Sequence, residues 1–233
     1  MDSLLHHTSR QKVVDGLCAS VLDKHSAPIF DDLVPWLMDG HLELIMKVQK
    51  LFSYSSWSVD TFSKRYCEAL KLCLNRKLDQ QKPAEFVPQL LDWYKGMLGS
   101  GQTGQDAASL RFLANNEASF KAYITESSAE KVCVKWADAR IKTIVNMSET
   151  EMADFLEDLE LVLKLTLEKS LFELHYKQYL RRRLMGPMTQ DGFLYEMKVL
   201  EKLKVYLDYE QVEYMELGIL EVKNSGALQG RRR

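Results

Sequence analysis

The sequence predicts an all-α fold, and three observations lead to this prediction. The 233 residues include only five prolines and eleven glycines, so few positions interrupt regular structure. Apolar residues recur at three- and four-residue spacing through most of the chain, as one face of an amphipathic helix requires. Runs of β-branched residues, which are typical of strands, are nearly absent. Because the spacing is not a regular heptad, we expect roughly ten packed helices rather than a long coiled coil.

The composition is that of an ordinary globular protein and argues against several classes. Hydrophobic residues make up 46% of the chain and charged residues 27%. The formal net charge of −2 gives no field that would attract nucleic acid or an anionic membrane, so neither is an expected partner. No run of about 18 apolar residues suggests a membrane span, and the N-terminus lacks the pattern of a signal peptide. We therefore expect a protein of the cytoplasm and nucleus.

Start and stop signals define the first two predicted helices. Ser26 is expected to cap a helix that has Pro28 in its first turn and Gly40 just past its end. Ser58 is expected to cap the second helix. The residues of the second helix that are expected to face inward are Val59, Phe62, Tyr66, Ala69, Leu70 and Leu74.

Three further helices are predicted from apolar spacing alone. The third carries Phe86, Leu90, Leu91, Tyr94 and Leu98. The fourth carries Leu110, Leu113, Phe120 and Ile124, and the fifth carries Val132, Trp136 and Ile141. Each set is spaced as in a helix, so we expect three helices here.

The clearest helix start is at Ser148. Its hydroxyl can accept from the backbone of the first turn while Glu151 reaches back, which is a capping box. A single apolar face follows, formed by Met152, Phe155, Leu156, Leu159, Val162, Leu163 and Leu167. The sequence therefore predicts an amphipathic helix that begins directly after Ser148.

A long, aromatic-rich helix is predicted over residues 168–184, ending before Gly186 and Pro187. Its end carries three arginines at 181–183, and three more arginines occupy 231–233. Two interpretations of the first run stay open. It could contact an acidic partner or a nucleic-acid backbone, or it could stabilise the C-terminus of its own helix.

Gly99, Gly101 and Gly104 form a Gly-x-Gly-x-x-Gly sequence. Dinucleotide binding requires this turn to follow a strand, because the strand delivers the glycines to a helix N-terminus. The preceding residues 89–98 have helical spacing instead. We therefore interpret residues 99–105 as a flexible linker between helices and expect no cofactor.

The other candidates for chemistry do not assemble into a site. The cysteines Cys18, Cys67, Cys73 and Cys133 form no Cys-x-x-Cys pair and are interpreted as reduced, buried thiols. The five histidines lack neighbouring ligands at the spacing of a metal-binding helix face. The acids Glu149, Glu151, Asp154, Glu157, Asp158 and Glu160 are interpreted as a solvated face. We therefore predict no catalytic, cofactor-binding or metal-binding residue.

Residues 168–184 resemble a recurring cullin pattern, in which a charged pair, Phe-Glu, an aromatic residue and Tyr-Lys precede leucines and basic residues. Other segments are also similar to the cullin family. Residues 86–95 and 112–124 resemble the opening and closing helices of a late cullin repeat. Residues 127–144 resemble the junction into the C-terminal region, and residues 148–169 resemble the helix that follows it. Residues 17–78 are more loosely similar to the stalk.

The resemblance implies stacked cullin-repeat helices leading into a helical bundle. Residues 1–126 would form the cullin-repeat stalk segment and residues 127–223 the start of the C-terminal helical bundle. Residues 224–233 lack periodicity and are expected to be a disordered tail. The sequence departs from the family at Asn116, where a leucine is usual, and after Lys204, where a Cys-x-x-x-Thr pattern is usual.

The resemblance also implies a function. Cullins are non-catalytic scaffolds of ubiquitin ligases, so the implied partners are ubiquitin-ligase components, including the exchange factor that wraps cullins. The chain is similar to the middle of a cullin, without the adaptor-binding and RING-binding ends. Four explanations of this partial similarity stay open: a fragment, a truncated isoform, a degenerate copy or an incomplete gene model. Two alternatives also stay open: a helical-repeat interaction module outside the ubiquitin system, and a nucleotide-dependent enzyme that rests on Gly99, Gly101 and Gly104 alone.

Overall fold

The computed structural model describes residues 2–53, 56–78, 82–101 and 107–230, and all regular structure in these ranges is helical. The helices are α1 (Asp2–Asp39), α2 (Leu42–Phe52), α3 (Ser56–Lys77), α4 (Pro83–Gly101), α5 (Ala107–Glu126), α6 (Glu130–Lys142), a 3-10 turn (Ile144–Asn146), α7 (Glu149–Leu165), α8 (Lys169–Leu184), α9 (Gln190–Leu203) and α10 (Tyr209–Gly230). The predicted all-α class is confirmed. None of the described helices is both long and apolar enough to span a membrane.

The chain forms two compact units. The first contains the described residues within 1–78 and 92–123, and the second contains those within 79–91 and 124–233. Helices α4 and α5 therefore each contribute residues to both units. The family-based division of the chain after residue 126 stays a prediction.

A row of aromatic contacts holds the first unit together. Phe52 of α2 lies between Phe30 of α1 and Phe62 of α3, with ring centroids 5.6 Å and 5.1 Å away. Tyr66, one turn after Phe62, contacts Phe112 of α5 at 5.5 Å. All of these rings except Phe30 are fully buried. Because buried aromatic pairs contribute through both area and ring geometry, this row fixes four helices against one another.

Helix α1 corrects the prediction that Ser26 begins a helix. The helix runs without interruption from Asp2 to Asp39 and contains both Pro28 and Pro35. The two prolines lie on its exposed side, where water can satisfy the carbonyl groups that lose their intrahelical partner. The predicted end is confirmed, because Gly40 follows the helix with a φ of +78°.

Helix α3 begins at Ser56, so Ser58 is not its cap as predicted. Ser58 is buried, and its Oγ donates a 3.0 Å hydrogen bond to the carbonyl oxygen of Phe52, in the last turn of α2. The side chain thus satisfies the end of one helix rather than the start of the next. The predicted inward face of α3 is confirmed, since every residue named for it is buried.

The glycine-rich linker was predicted to begin too early. Gly99 and Gly101 belong to the last turn of α4, and residues 102–106 lie outside the described part of the chain. Glycine lowers helix stability by about 1 kcal/mol, but burial of Met97 in the adjacent turn favours the helix. The helix predicted from Leu110, Leu113, Phe120 and Ile124 is confirmed as α5, although Leu110 itself is 61% exposed.

The second unit contains the most accurately predicted helix. Ser148 Oγ accepts from the Glu151 N–H at 3.3 Å, and the Ser148 N–H donates to Glu151 Oε2 at 2.8 Å, which confirms the capping box at the start of α7. Phe155 and Leu159 of this helix are buried, as predicted. Leu167 lies beyond the helix end and is 53% exposed, contrary to the prediction.

The predicted end of α8 is confirmed, whereas the predicted start of the C-terminal tail is corrected by α10. Helix α8 ends at Leu184, before Gly186, as the sequence predicts. Residues 224–230 were assigned to a disordered tail, yet they continue α10 to Gly230, and residues 231–233 lie outside the described part. Extension of a formed helix adds a backbone hydrogen bond per residue without a new nucleation step. Ser225 Oγ also donates to the Glu221 carbonyl oxygen at 2.8 Å.

Candidate functional site

The last turn of α8 places Arg183 inside the second unit, where its side chain is only 5% exposed. Its Nε and Nη2 donate to the carboxylate of Glu196 on α9, with 3.1 Å between Nη2 and Oε2. Its Nη1 donates to Asp138 on α6. One guanidinium group therefore bonds to both neighbouring helices and joins α6, α8 and α9.

Two further side chains complete this arginine network, which consists of Asp138, Lys142, Tyr176, Arg183 and Glu196. The Tyr176 hydroxyl donates to Glu196 Oε2 at 3.2 Å, and its ring centroid lies 5.4 Å from the guanidinium carbon. Lys142, which is 59% exposed, places Nζ 2.7 Å from Asp138 Oδ2. Two carboxylates thus meet two cations, and this pairing is what makes buried charge tolerable.

The surroundings keep both donors of the arginine network protonated. Burial raises the pKa of the Tyr176 phenol well above its ordinary value, and the negative charge of Glu196 raises it further. Burial alone would lower the pKa of Arg183, but Tyr176, Glu196 and Asp138 outweigh burial and raise that pKa. Neither group exchanges a proton near neutral pH, so the network acts as a structural clamp.

The structure divides the predicted basic run among different environments. For Arg183 the prediction of a surface or helix-end role was wrong, because its side chain is buried within the arginine network. Arg182 is exposed, with its guanidinium carbon 5.5 Å from the Tyr179 ring centroid. A periodic signal was available: Phe172, Tyr176, Leu180 and Arg183 occupy one buried face at helical spacing.

An apolar groove of about 420 Å³ lies between α8 and α10. Its buried floor includes Leu180 and Met215. Its rim exposes Met185 by 89%, Tyr214 by 66% and Leu217 by 54%. A concave surface with so much exposed apolar side chain is typical of an interaction site.

Charged side chains flank this α8–α10 groove on both walls. Lys177 and Arg181 lie on the α8 wall and Glu221 on the α10 wall. Lys177 is already engaged, because its Nζ lies 2.7 Å from Glu173 Oε1 and also donates to Gln211 Oε1. Within the described part of the chain, the side chains of Arg181 and Glu221 form no such pair.

The first unit contains a buried polar pair, Tyr66 and Asn116. The Tyr66 hydroxyl donates to Asn116 Oδ1. Asn116 Nδ2 and the Tyr94 hydroxyl are buried without a hydrogen-bonding partner. Burial raises the pKa of the Tyr66 phenol far above its usual value, so this hydroxyl stays a donor. The arrangement orders the packing but offers no group for acid–base chemistry.

The remaining sequence candidates do not converge on a site. Gly99 lies in a helix, not after the strand that dinucleotide binding requires. Cys73 and Cys133 are buried free thiols, Cys67 is half-buried, and the side chain of Cys18 lies outside the described residues. The predicted solvated acidic residues of α7 are exposed or half-buried. In the part of the chain that the structure describes, no group of three or more His, Cys, Asp or Glu side chains could hold a metal ion.

Comparison with known proteins gives one positive finding. The family model described as the Cullin alpha solenoid domain matches residues 1–217. The match extends through both compact units and into helix α10. None of the curated proteins compared with the chain matches it.

Proposed function

The chain belongs to the cullin family, and on this premise we propose that it is a non-catalytic scaffold component of a cullin-RING ubiquitin ligase complex. In this role it acts in ubiquitin-dependent protein degradation in the cytoplasm and nucleus. Its partners are other ubiquitin-ligase components and the exchange factor that wraps cullins. The observation that carries the proposal is the match of the cullin solenoid model over residues 1–217.

The packing of the second unit supports a role in positioning. A scaffold holds reacting partners at a fixed separation, which raises their effective concentration without any chemistry of its own. The arginine network contributes rigidity, because Arg183 bonds to Asp138 and Glu196 on two other helices. A change in the relative position of these helices would separate buried charges, and such a separation is costly.

The alternative interaction module outside the ubiquitin system is less well supported. This alternative rests on the succession of amphipathic helices alone, which a cullin solenoid shares, whereas the family match covers residues 1–217.

Affinity capture of the tagged 233-residue chain from its native cells, with quantitative mass spectrometry, tests the proposed partners. We expect enrichment of RING-box protein, substrate adaptors or the exchange factor over a tag-only control. The variant Arg183→Met serves as a second control, because loss of the clamp should reduce this enrichment. Recovery of chaperones alone, or of an unrelated complex, would contradict the ligase proposal.

A reconstituted reaction tests the non-catalytic part of the proposal. The chain is incubated with ubiquitin, ATP, and activating and conjugating enzymes, and thioesters are detected on non-reducing gels. We expect no ubiquitin thioester on the chain. Cys67 is the most accessible of the described cysteines, so Cys67→Ser is the matched control. A thioester that forms on the native chain and disappears in this variant would show an activity of its own.

A further inference from the structure

We propose that the α8–α10 groove is a self-association surface, in which a second copy of this chain packs its own α10 into the groove about a two-fold axis. The inference concerns the chain itself and does not depend on the proposed ligase role. It rests on the shape of the groove, on the side chains of its rim and on the charges of its two walls.

One surface patch of the chain contains both the groove and the projecting side chains that could fill the groove of a second copy. Tyr214 and Leu217 project from α10 with 66% and 54% of their surface exposed, and the apolar floor lies beside them at Leu180 and Met215. An isologous interface requires such a patch, because each copy must offer both the knob and the hole. The exposed Met185 at the end of the groove adds a flexible apolar side chain that adapts to a partner surface.

Gly218 makes room for a second helix. It lines the groove, and a Cβ atom placed on it would meet no heavy atom within 4 Å. The absence of a side chain at this point allows close approach of a second backbone. The same property provides a blocking variant, because a leucine at position 218 would occupy the space that the second copy needs.

The charges of the two walls complement one another across a two-fold axis. Arg181 on the α8 wall and Glu221 on the α10 wall are both exposed. In the described part of the chain no ion pair engages either side chain. Rotation of one copy onto the other brings Arg181 of each copy toward Glu221 of the other, so the interface gains two equivalent ion pairs. A partner of uniform charge would meet attraction on one wall and repulsion on the other.

Charge reversal tests this pairing directly. Arg181→Glu places acids at both 181 and 221, and Glu221→Arg places arginines at both positions, so each variant alone should dimerise at least about tenfold more weakly than the native chain. An equimolar mixture of the two variants restores both ion pairs and should form a heterodimer. Sedimentation velocity over a range of protein concentrations measures dimer formation by each variant alone and by the mixture. A mass tag on one variant identifies the heterodimer. Unfolding of either variant could not produce this rescue.

Two further variants separate the groove from other apolar surfaces. Gly218→Leu should abolish the dimer while leaving the melting temperature unchanged or higher, because leucine favours a helix more than glycine does. Leu194→Asp removes an equally exposed leucine, 54% accessible, on α9 outside the groove and should leave the dimer intact. A native chain that stays monomeric at high concentration would overturn the proposal. A dimer that survives Gly218→Leu, or a mixture that fails to form the heterodimer, would also overturn it.

Discussion

Arg183 and Glu196 form a two-pronged ion pair, in which Nε and Nη2 of the guanidinium donate to the two oxygens of one carboxylate. Both side chains are almost completely buried, with 5% and 2% of their surface exposed. Planar, bidentate pairing is the geometry in which arginine gains most over lysine. The third charge, Asp138, extends the pair to a second helix and makes Arg183 the common partner of both acids.

Removal of the guanidinium should destabilise the second unit strongly. Arg183→Met keeps an apolar stem but leaves Asp138 and Glu196 buried without their common cation, so we expect a loss of about 3–5 kcal/mol. Urea denaturation followed by circular dichroism measures this loss, because all regular structure in the described ranges is helical. Arg182→Met removes an exposed neighbour and should change stability by less than about 0.5 kcal/mol. Equal effects of the two variants would contradict the clamp.

The Tyr66–Asn116 pair should show strong coupling between its two members. Tyr66→Phe leaves Asn116 Oδ1 buried without its donor, and Asn116→Leu leaves the Tyr66 hydroxyl with only the weak acceptor Met97 Sδ at 3.9 Å, so each single variant should cost about 1–3 kcal/mol. The double variant replaces both groups by apolar ones and removes the unsatisfied Asn116 Nδ2, so it should be at least as stable as the native chain. Thermal unfolding of the four proteins gives the double-mutant cycle. Additive losses would show that the pair is not coupled.

Cys133 should be inert in the folded protein. Burial raises the pKa of its thiol to about 12, with a further contribution from Glu130. At pH 8 the reactive thiolate is then on the order of one molecule in ten thousand. Iodoacetamide labelling followed by peptide mass spectrometry should therefore modify the half-buried Cys67 well before Cys133. Labelling in urea serves as the control, because both sites should then react at similar rates. Equal labelling of the two sites in the native chain would contradict this prediction.

The capping box of α7 should give a pH-dependent contribution to stability. The backbone N–H and the hydroxyl of Ser148 lower the pKa of Glu151 below its ordinary 4.5. A depressed folded-state pKa stabilises the protein above the ordinary value, and the stabilisation is lost as the pH falls through the folded value. Ser148→Ala should cost about 0.5–2 kcal/mol at pH 7.

Urea titrations at a series of pH values check this prediction. The difference in unfolding free energy between the native chain and Ser148→Ala should narrow as the pH falls below 4.5. Ser148→Thr is the matched control, because threonine keeps the hydroxyl and should retain most of the cap. A difference that stays constant with pH would mean that Glu151 takes no part in the cap.

Local signals explain what could be predicted from the sequence. Ser148 and Glu151 are three residues apart, so the capping box depends on no other part of the chain. The burial of Phe172 and Tyr176 likewise follows from helical spacing within α8. Ser26 misled the prediction because Pro28 usually marks a helix start, whereas packing of Leu33 and Leu37 holds α1 intact through both prolines. Tertiary contacts here override a local preference.

The arginine network could not be predicted because its members are far apart in sequence. Asp138 lies 45 residues and Glu196 13 residues from Arg183. Helical spacing places Arg183 on the same face as Tyr176 and Leu180, but its two acidic partners follow only from the positions of α6 and α9. The groove beside α10 is equally non-local, because Arg181 and Glu221 reach it from separate helices. Contacts between distant segments depend on the tertiary packing.

The arginine network also restricts how this chain can change over evolutionary time. Substitution of Arg183 alone leaves both Asp138 and Glu196 in the interior without their common cation, so we expect the arginine to be lost only together with replacement of its acidic partners. Among descendants of a common ancestor the three positions should therefore vary jointly, as an ionic set or as an apolar one. A single buried guanidinium thus couples the substitutions that three separate segments of the gene can accept.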